Sequence, residues 1–425
     1  MDGVRDLQDG GPLGLMDGDE CMDGTGGTSR TGILAAMGAL YFIFGFVTCL
    51  NDILVPHLKA VFELDYARAM LIQFSFFSAY FIMAPPSGWL VDRLGCQRGM
   101  AAGLAAMSCG CFLFLPAAGA HSYGLFLGAL FLLAAGVTLL QVAANPYVAA
   151  LGRPETASSR LTLTQAFNSL GTTAAPWFGS ALILAGAGAA AGAESVRMPY
   201  LGLGAVLVAL ALLTAWWPMP GAGPVPAAAA PDSVPAPSPW RHRPLRLGAV
   251  AIFLYVGAEV GIGSFLVNYI HQLGVGGATL AQSARYVSLY WGGAMVGRFA
   301  GSAVMRRVAP NRVLTANAVA ACALVVAAMA GHGPVSMAAI LAVGFFNSIM
   351  FPTIFTLAIK GLGEARIGQA SGILCMAVAG GAVVPLAQGL LADWQGIRFA
   401  FALPALCYAA IAAYGAAGHE APGGL

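Results

Sequence analysis

Charge is what this chain most lacks. Asp, Glu, Lys and Arg make up 9% of its 425 residues and apolar types 59%, whereas a soluble domain carries about 25% charged residues on its water-facing surface. The few charges are also segregated, which leaves apolar runs of at least about 18 residues, the length that crosses a hydrocarbon core as a helix. Such runs cover 32–55, 66–91, 99–118, 122–150, 161–186 and 199–217, then 247–271, 282–305, 313–331, 334–359, 367–392 and 397–418. Lipid offers the backbone no hydrogen bonds, so runs of this kind must satisfy their own as helices. The expected fold class is an all-α membrane protein of twelve transmembrane helices in two six-helix halves. A soluble globular protein, a disordered chain and a nucleic-acid binder are excluded. The net charge is only +2 and no basic run offers a footprint for phosphates.

The segments between and around the runs set the organisation. Residues 1–31 are Gly-rich and carry seven carboxylates between Asp2 and Asp23; they read as a disordered cytoplasmic tail without the basic start of a signal peptide. Between Pro218 and Pro244 lie nine of the 24 prolines, so 218–246 reads as an extended cytoplasmic linker. It separates an N-terminal half, 32–217, from a C-terminal half, 247–418, with 419–425 as a second cytoplasmic tail. With the N-terminus inside, the inner loops hold twelve Lys and Arg residues and the outer loops five, which places both termini in the cytoplasm. The eight cysteines are scattered, form no CxxC pair, and read as small buried hydrophobes. No metal or cofactor is expected.

The halves repeat. Gly88-Trp-Leu-Val-Asp92-Arg93-Leu-Gly95-Cys-Gln-Arg98 follows span two, and a degenerate copy near Gly301, with Met305 where the acid would be, follows span eight. Pro146 in span four is followed fourteen residues later by Arg160, and Pro352 in span ten by Arg366 at the same interval. Duplicated halves with a site at their interface are transporter architecture.

With this loop the chain resembles the major facilitator superfamily, in which the resemblance implies a cytoplasmic gate formed by Gly88, Asp92, Arg93 and Arg98. A closer resemblance rests on five segments: Leu50-Asn51-Asp52-Ile-Leu-Val-Pro56, Gln141-Val-Ala-Ala-Asn145-Pro146-Tyr147, Gln165-Ala-Phe-Asn168-Ser169-Leu-Gly171, Tyr255-Val-Gly-Ala-Glu259 and Phe351-Pro352-Thr353-Ile-Phe355. Together they look like the fucose:proton symporter family, with its glucose/galactose and N-acetylglucosamine branches. The resemblance implies a secondary active transporter, not an enzyme, in the bacterial inner membrane. It would be a monomer surrounded by lipid that imports a neutral sugar with a proton, or with Na+, by alternating access. Asp52 matches the family's coupling acid on span one. Its second acid, on span four, is replaced here by Gln141, while Glu259 stands where fucose permeases have a neutral residue.

The buried polar residues can also be read without the family. A carboxylate at membrane depth costs several kcal/mol unless it is paired, protonated or hydrated. Asp52 and Glu259 are the two acids well inside predicted spans, and this is the chemistry of a coupling-proton site or, more plainly, of a structural acid bonded to a neighbouring helix. Gln141 and Asn145 share one face of span four, and Gln165 and Asn168 one face of span five. Amides both donate and accept, as the hydroxyls of a pyranose require. With Asn51 and Asn347, and with Trp291 and Phe351 as rings for a sugar's apolar face, they form the candidate substrate site. The plain alternative for each amide is an interhelical bond of about 1 kcal/mol. A drug/cation antiporter of the same fold would want a greasier pocket. A membrane enzyme or sensor would want a convergent nucleophile and base or a soluble domain, and no HExxH, GxSxG or P-loop occurs.

Overall fold

The structure is a computed structural model describing residues 30–62, 66–179, 197–223, 238–274, 280–363 and 366–417; side chains over 50–61, 66–70, 176–179 and 280–282 and at 30, 73 and 284 lie outside the description. Residues 1–29 and 418–425, read above as tails, and 224–237 of the linker lie outside it as well.

The described residues form helices and connecting turns, with no strand. The first half contains α1 (Arg30–Val61), α2 (Tyr66–Leu94), α3 (Cys96–Gly119), α4 (Tyr123–Ala150), α5 (Ala157–Gly179) and α6 (Arg197–Trp216). The second contains α7 (Arg243–Gln272), α8 (Leu280–Val304), α9 (Pro310–Ala330), α10 (Gly333–Asn347), α11 (Met350–Ile359), α12 (Ile367–Met376), α13 (Gly380–Gln395), α14 (Ile397–Ala400) and α15 (Ala402–Ala416). Spans ten, eleven and twelve are thus each two helical pieces: α10–α11, α12–α13 and α14–α15. One boundary needs correction. The linker was expected to run to 246, but Pro239–Arg241 form a 3-10 turn and α7 starts at Arg243. Pro244 stands in the first helical turn, where its missing N–H costs nothing.

Among the described residues, nine helices are long and apolar enough to cross a membrane, counting each two-piece span once. The other spans, α2, α5 and α8, have 29, 23 and 25 residues and carry polar side chains into the bundle, among them Asp92, Gln165, Asn168 and Arg298. The surface is inverted relative to a soluble protein. Leu212, Val326, Leu386 and Leu390 are exposed, whereas Thr138, Asn145, Asn347 and Gln388 are fully buried. Lipid solvates the former, and the polar groups must find partners inside. Of the cysteines, Cys111, Cys375 and Cys407 are buried as expected, but Cys109 is exposed on this apolar surface.

The two halves repeat in packing as in sequence. In the first half α1 packs on α5, α2 on α4, and α3 on α4 and α6; in the second α7 packs on α13, α8 on α10, and α9 on α10 and α15. The halves meet mainly through α2 against α12 and α5 against α8, two pairs that the repeat interchanges. Gly95 turns the chain between α2 and α3 at φ 83°, and Gly396 turns it between α13 and α14 at φ 88°, a backbone region that favours glycine. Arg93, Arg98, Arg153, Arg306, Arg307 and Arg366 sit at one end of the bundle, hereafter the arginine-rich end.

Small residues let helices touch backbone to backbone in lipid. A Cβ on Gly171 of α5 would lie 2.0 Å from the Phe42 carbonyl oxygen of α1, whereas one on Gly202 of α6 would meet nothing within 4 Å. Gly171→Val is therefore expected to cost at least about 1–3 kcal/mol by overpacking and to lower the unfolding midpoint in detergent. Gly202→Val should leave it unchanged.

Candidate functional site

In the N-terminal half the amides gather around Tyr41 of α1. The Tyr41 hydroxyl donates to Asn145 Oδ1, and Asn168 Nδ2 donates to the Tyr41 carbonyl over 3.2 Å. One tyrosine thus ties α4 and α5 to α1. Asn145 is fully buried, and its Nδ2 has no partner among the described residues. One turn away, Gln141 Oε1 is also buried without a partner, beside a small cavity lined by Leu40, Tyr41, Phe44, Leu140 and Ala144. A buried acceptor left unpaired costs about 1–3 kcal/mol, so Gln141 is poised for a donor that the protein does not supply here. Gln165 is buried on the same face of α5 as Asn168.

In the C-terminal half Asn347 Nδ2 donates to the hydroxyls of Tyr290 (2.7 Å) and Tyr408 (3.3 Å), joining α10, α8 and α15, while its Oδ1 has no partner among the described residues. Trp291 is 42% exposed and stands edge-on to Tyr290, with ring centres 5.2 Å apart. Phe351 is buried on α11, 6.1 Å from Phe355. Glu259 is buried on α7, and its Oε1 lies 3.9 Å from Arg298 Nη2. That is ion-pair distance but too long for a hydrogen bond.

The arginine-rich end is closed by bonds between the halves. Asp92 Oδ1 accepts from the Gly368 amide (2.7 Å) and Oδ2 from the Gln369 amide (3.2 Å), so the carboxylate sits on the N-terminus of α12, where the helix dipole and free amides favour an anion. Gly88 makes room for this: a Cβ there would lie 2.6 Å from the Gly368 carbonyl oxygen. Arg93 places its guanidinium 3.7 Å over the Trp89 ring, and Arg98 is exposed, so neither joins the closure in this arrangement. On the repeat-related side, Ser159 Oγ donates to the Ser302 carbonyl (2.7 Å) and Ser302 Oγ to the Ser159 carbonyl (2.9 Å), and Ser158 pairs with Thr356.

Of the predicted site residues, the structure brings Gln141, Asn145 and Asn168 together around Tyr41, buries Gln165 one turn from Asn168, sets Trp291 and Asn347 against Tyr290 and holds Glu259 beside Arg298. Asn51 and Asp52 lie on α1, outside the described side chains. Five participants were not singled out from sequence: Tyr41, Tyr290, Tyr408, Ser159 and Ser302. The tyrosines sit in apolar runs like any core aromatic, and the serines carry no pattern. No signal in the sequence points to them.

Twelve spans in two repeated halves, a polar interior at the interface and a closable end define a secondary transporter. The chain belongs to the Major Facilitator Superfamily, whose family model matches residues 37–384. It is 53% identical over 390 residues to the glucose/galactose transporter of Brucella abortus, covering 91% of this chain and 94% of that one. It is 35% identical over 415 residues to the L-fucose-proton symporter of Escherichia coli, covering 92% and 94%. The solved structure of FucP, a major facilitator transporter in the outward conformation, matches with a TM-score of 0.84 and 33% identity over 92% of this chain and 100% of that one.

Proposed function

We propose that the chain is a sugar symporter, which carries a neutral monosaccharide of the glucose, galactose, fucose or N-acetylglucosamine class into the cell with a cation, the proton being the favoured ion. The observation that carries the reading is the buried cluster of Gln141, Gln165 and Asn168 on α4 and α5, with Trp291 and the acid Glu259 in the facing half. The amides supply donors and acceptors for sugar hydroxyls, the ring an apolar platform, and the acid a group able to exchange a proton. Asn145 and Asn347 would bind less directly, since both are fully buried and bonded to tyrosine hydroxyls. The names of the relatives, matched over 91% and 92% of this chain, support the same class of substrate.

In this reading the arginine-rich end faces the cytoplasm, in keeping with the excess of positive charge in its loops, and both termini lie there. The closure by Asp92 and Ser159–Ser302 then makes this the outward-facing arrangement.

Counterflow of labelled glucose, galactose, fucose and N-acetylglucosamine in proteoliposomes, with pH and Na+ gradients imposed in turn, tests the proposal. One sugar should exchange, and a pH gradient should drive it uphill. Gln165→Ala and Asn168→Ala should each weaken sugar affinity about tenfold or more, the loss expected for an amide–hydroxyl contact of roughly 1–3 kcal/mol at a desolvated site. Unchanged affinity in both variants moves the sugar site elsewhere.

A further inference from the structure

Arg298 lies where four helices converge. From α8 its Nε donates to the Ser348 carbonyl at the end of α10 (3.2 Å), and Nη1 donates to the Gln165 carbonyl (3.3 Å) and the Ser169 hydroxyl of α5. Nη2 stands 3.9 Å from Glu259 Oε1 on α7. Glu259 Oε1 is buried and accepts no hydrogen bond from any described residue. Its titratable and charged neighbours among these residues are Arg298 and Tyr290 of α8, Tyr255 on its own helix and Tyr408 of α15. Of these only Arg298 carries a positive charge. A single guanidinium is therefore shared unequally. Two of its bonds cross to the other half, whereas Glu259 Oε1 has the guanidinium only at ion-pair distance.

We infer that Arg298 is the positioning residue that transmits the proton load of Glu259 to the closure between the halves, its guanidinium moving between Glu259 and the Gln165–Ser169 turn of α5. Charge-assisted bonds are the strong ones, and a buried carboxylate without its partner is costly. An ionised Glu259 pulls Arg298 toward α7 and away from α5, which loosens the α5–α8 contact. A protonated Glu259 releases Arg298 to hold α5. By linkage, closing the arginine-rich end favours proton uptake at Glu259, and opening it favours release. The inference rests on the symport reading for its meaning, but not for its test.

Spin labels introduced at the exposed residues Glu155 and Arg307, one in each half at the arginine-rich end, through non-natural amino acids that spare the native cysteines, report the separation of the halves. In the sugar-free protein the distance distribution should shift toward the separated population as pH rises. Asp92, the other acid at this closure, contributes its own part, so the decisive quantity is the portion lost in Glu259→Gln. Arg298→Gln, with Glu259 intact, should lose that same portion, and Arg298→Lys should keep some of it. Arg298→Gln should also still exchange sugar while failing to accumulate it uphill. If Arg298→Gln retains the full pH-dependent shift, or couples sugar to the proton gradient as well as wild type does, the inference is overturned while the symport reading stands. If wild type moves no sugar, the symport reading fails and the label distances still decide the role of Arg298.

Discussion

Asp52→Asn combined with Glu259→Gln is expected to abolish uphill sugar accumulation. Both substitutions keep the shape of the side chain and remove its titratable proton, so folding and sugar exchange should persist while the coupling is lost. The effect is large because the driving force is large. One charge moved across 100 mV is worth about 2.3 kcal/mol, or roughly fortyfold in concentration, and the double variant should bring the ratio of inner to outer sugar to one. The single variants separate the contributions. Gln141 cannot exchange a proton, so Asp52 is the one acid well inside a predicted span of the N-terminal half, and Glu259 is buried in the other half beside Arg298. Accumulation measured in proteoliposomes under an imposed pH gradient decides the matter. If it survives in the double variant, neither carboxylate carries the coupling ion.

Gly88→Val is expected to eliminate net transport by a different route. The Cβ alone would come within 2.6 Å of the Gly368 carbonyl oxygen and 2.9 Å of the Gln369 Cα, atoms of the α12 backbone that cannot step aside. α2 and α12 would be held apart, Asp92 would lose both amides, and the arginine-rich end could not close. The protein should then be trapped open at that end, with sugar binding retained there and the cycle stopped. Asp92→Asn should be milder. It keeps one acceptor and loses a charge on a helix N-terminus, an interaction of about 0.3–1 kcal/mol and up to about 2 when partly buried, enough to shift the balance between facing states without freezing it. Labelling of an engineered cysteine at Ser159, which closure buries, measures both: fast in Gly88→Val, intermediate in Asp92→Asn, slow in wild type.

Much of this was legible in the sequence. The twelve runs, the linker and the repeated loop fix the architecture because lipid leaves an apolar run of that length one way to satisfy its backbone. Asp92 was readable because its loop has a spacing, and Gln141, Asn145, Gln165 and Asn168 because amides inside apolar helices need a reason. Arg298 reads from the sequence as a charge near the inner end of span eight that either reaches for the headgroups or pairs at the gate. Its real partners, Glu259, Gln165 and Ser169, lie 39, 133 and 129 residues away in the chain, and no periodicity within one helix encodes them. Tyr41 illustrates the same limit: in a span of Phe, Leu and Ile it reads as core, yet its hydroxyl and carbonyl hold two of the four amides. The breaks at 348–349 and 377–379 were likewise invisible, since each piece is apolar on both sides of the break.

The two lines of contact that the internal repeat interchanges are chemically unlike. Asp92 makes charged bonds to the α12 amides on one side, while on the other, with Met305 in the place of the acid, serine hydroxyls bond to carbonyls. Bonds to a charged group are worth about 1.5–3 kcal/mol and neutral ones about 0.5–1.5. Arg298 adds two charge-assisted bonds to the serine line, to the Gln165 carbonyl and the Ser169 hydroxyl, so the two lines differ less in strength than in what can release them. The aspartate line is tied to backbone amides of α12, whereas the serine line hangs partly on a guanidinium that stands 3.9 Å from a buried carboxylate.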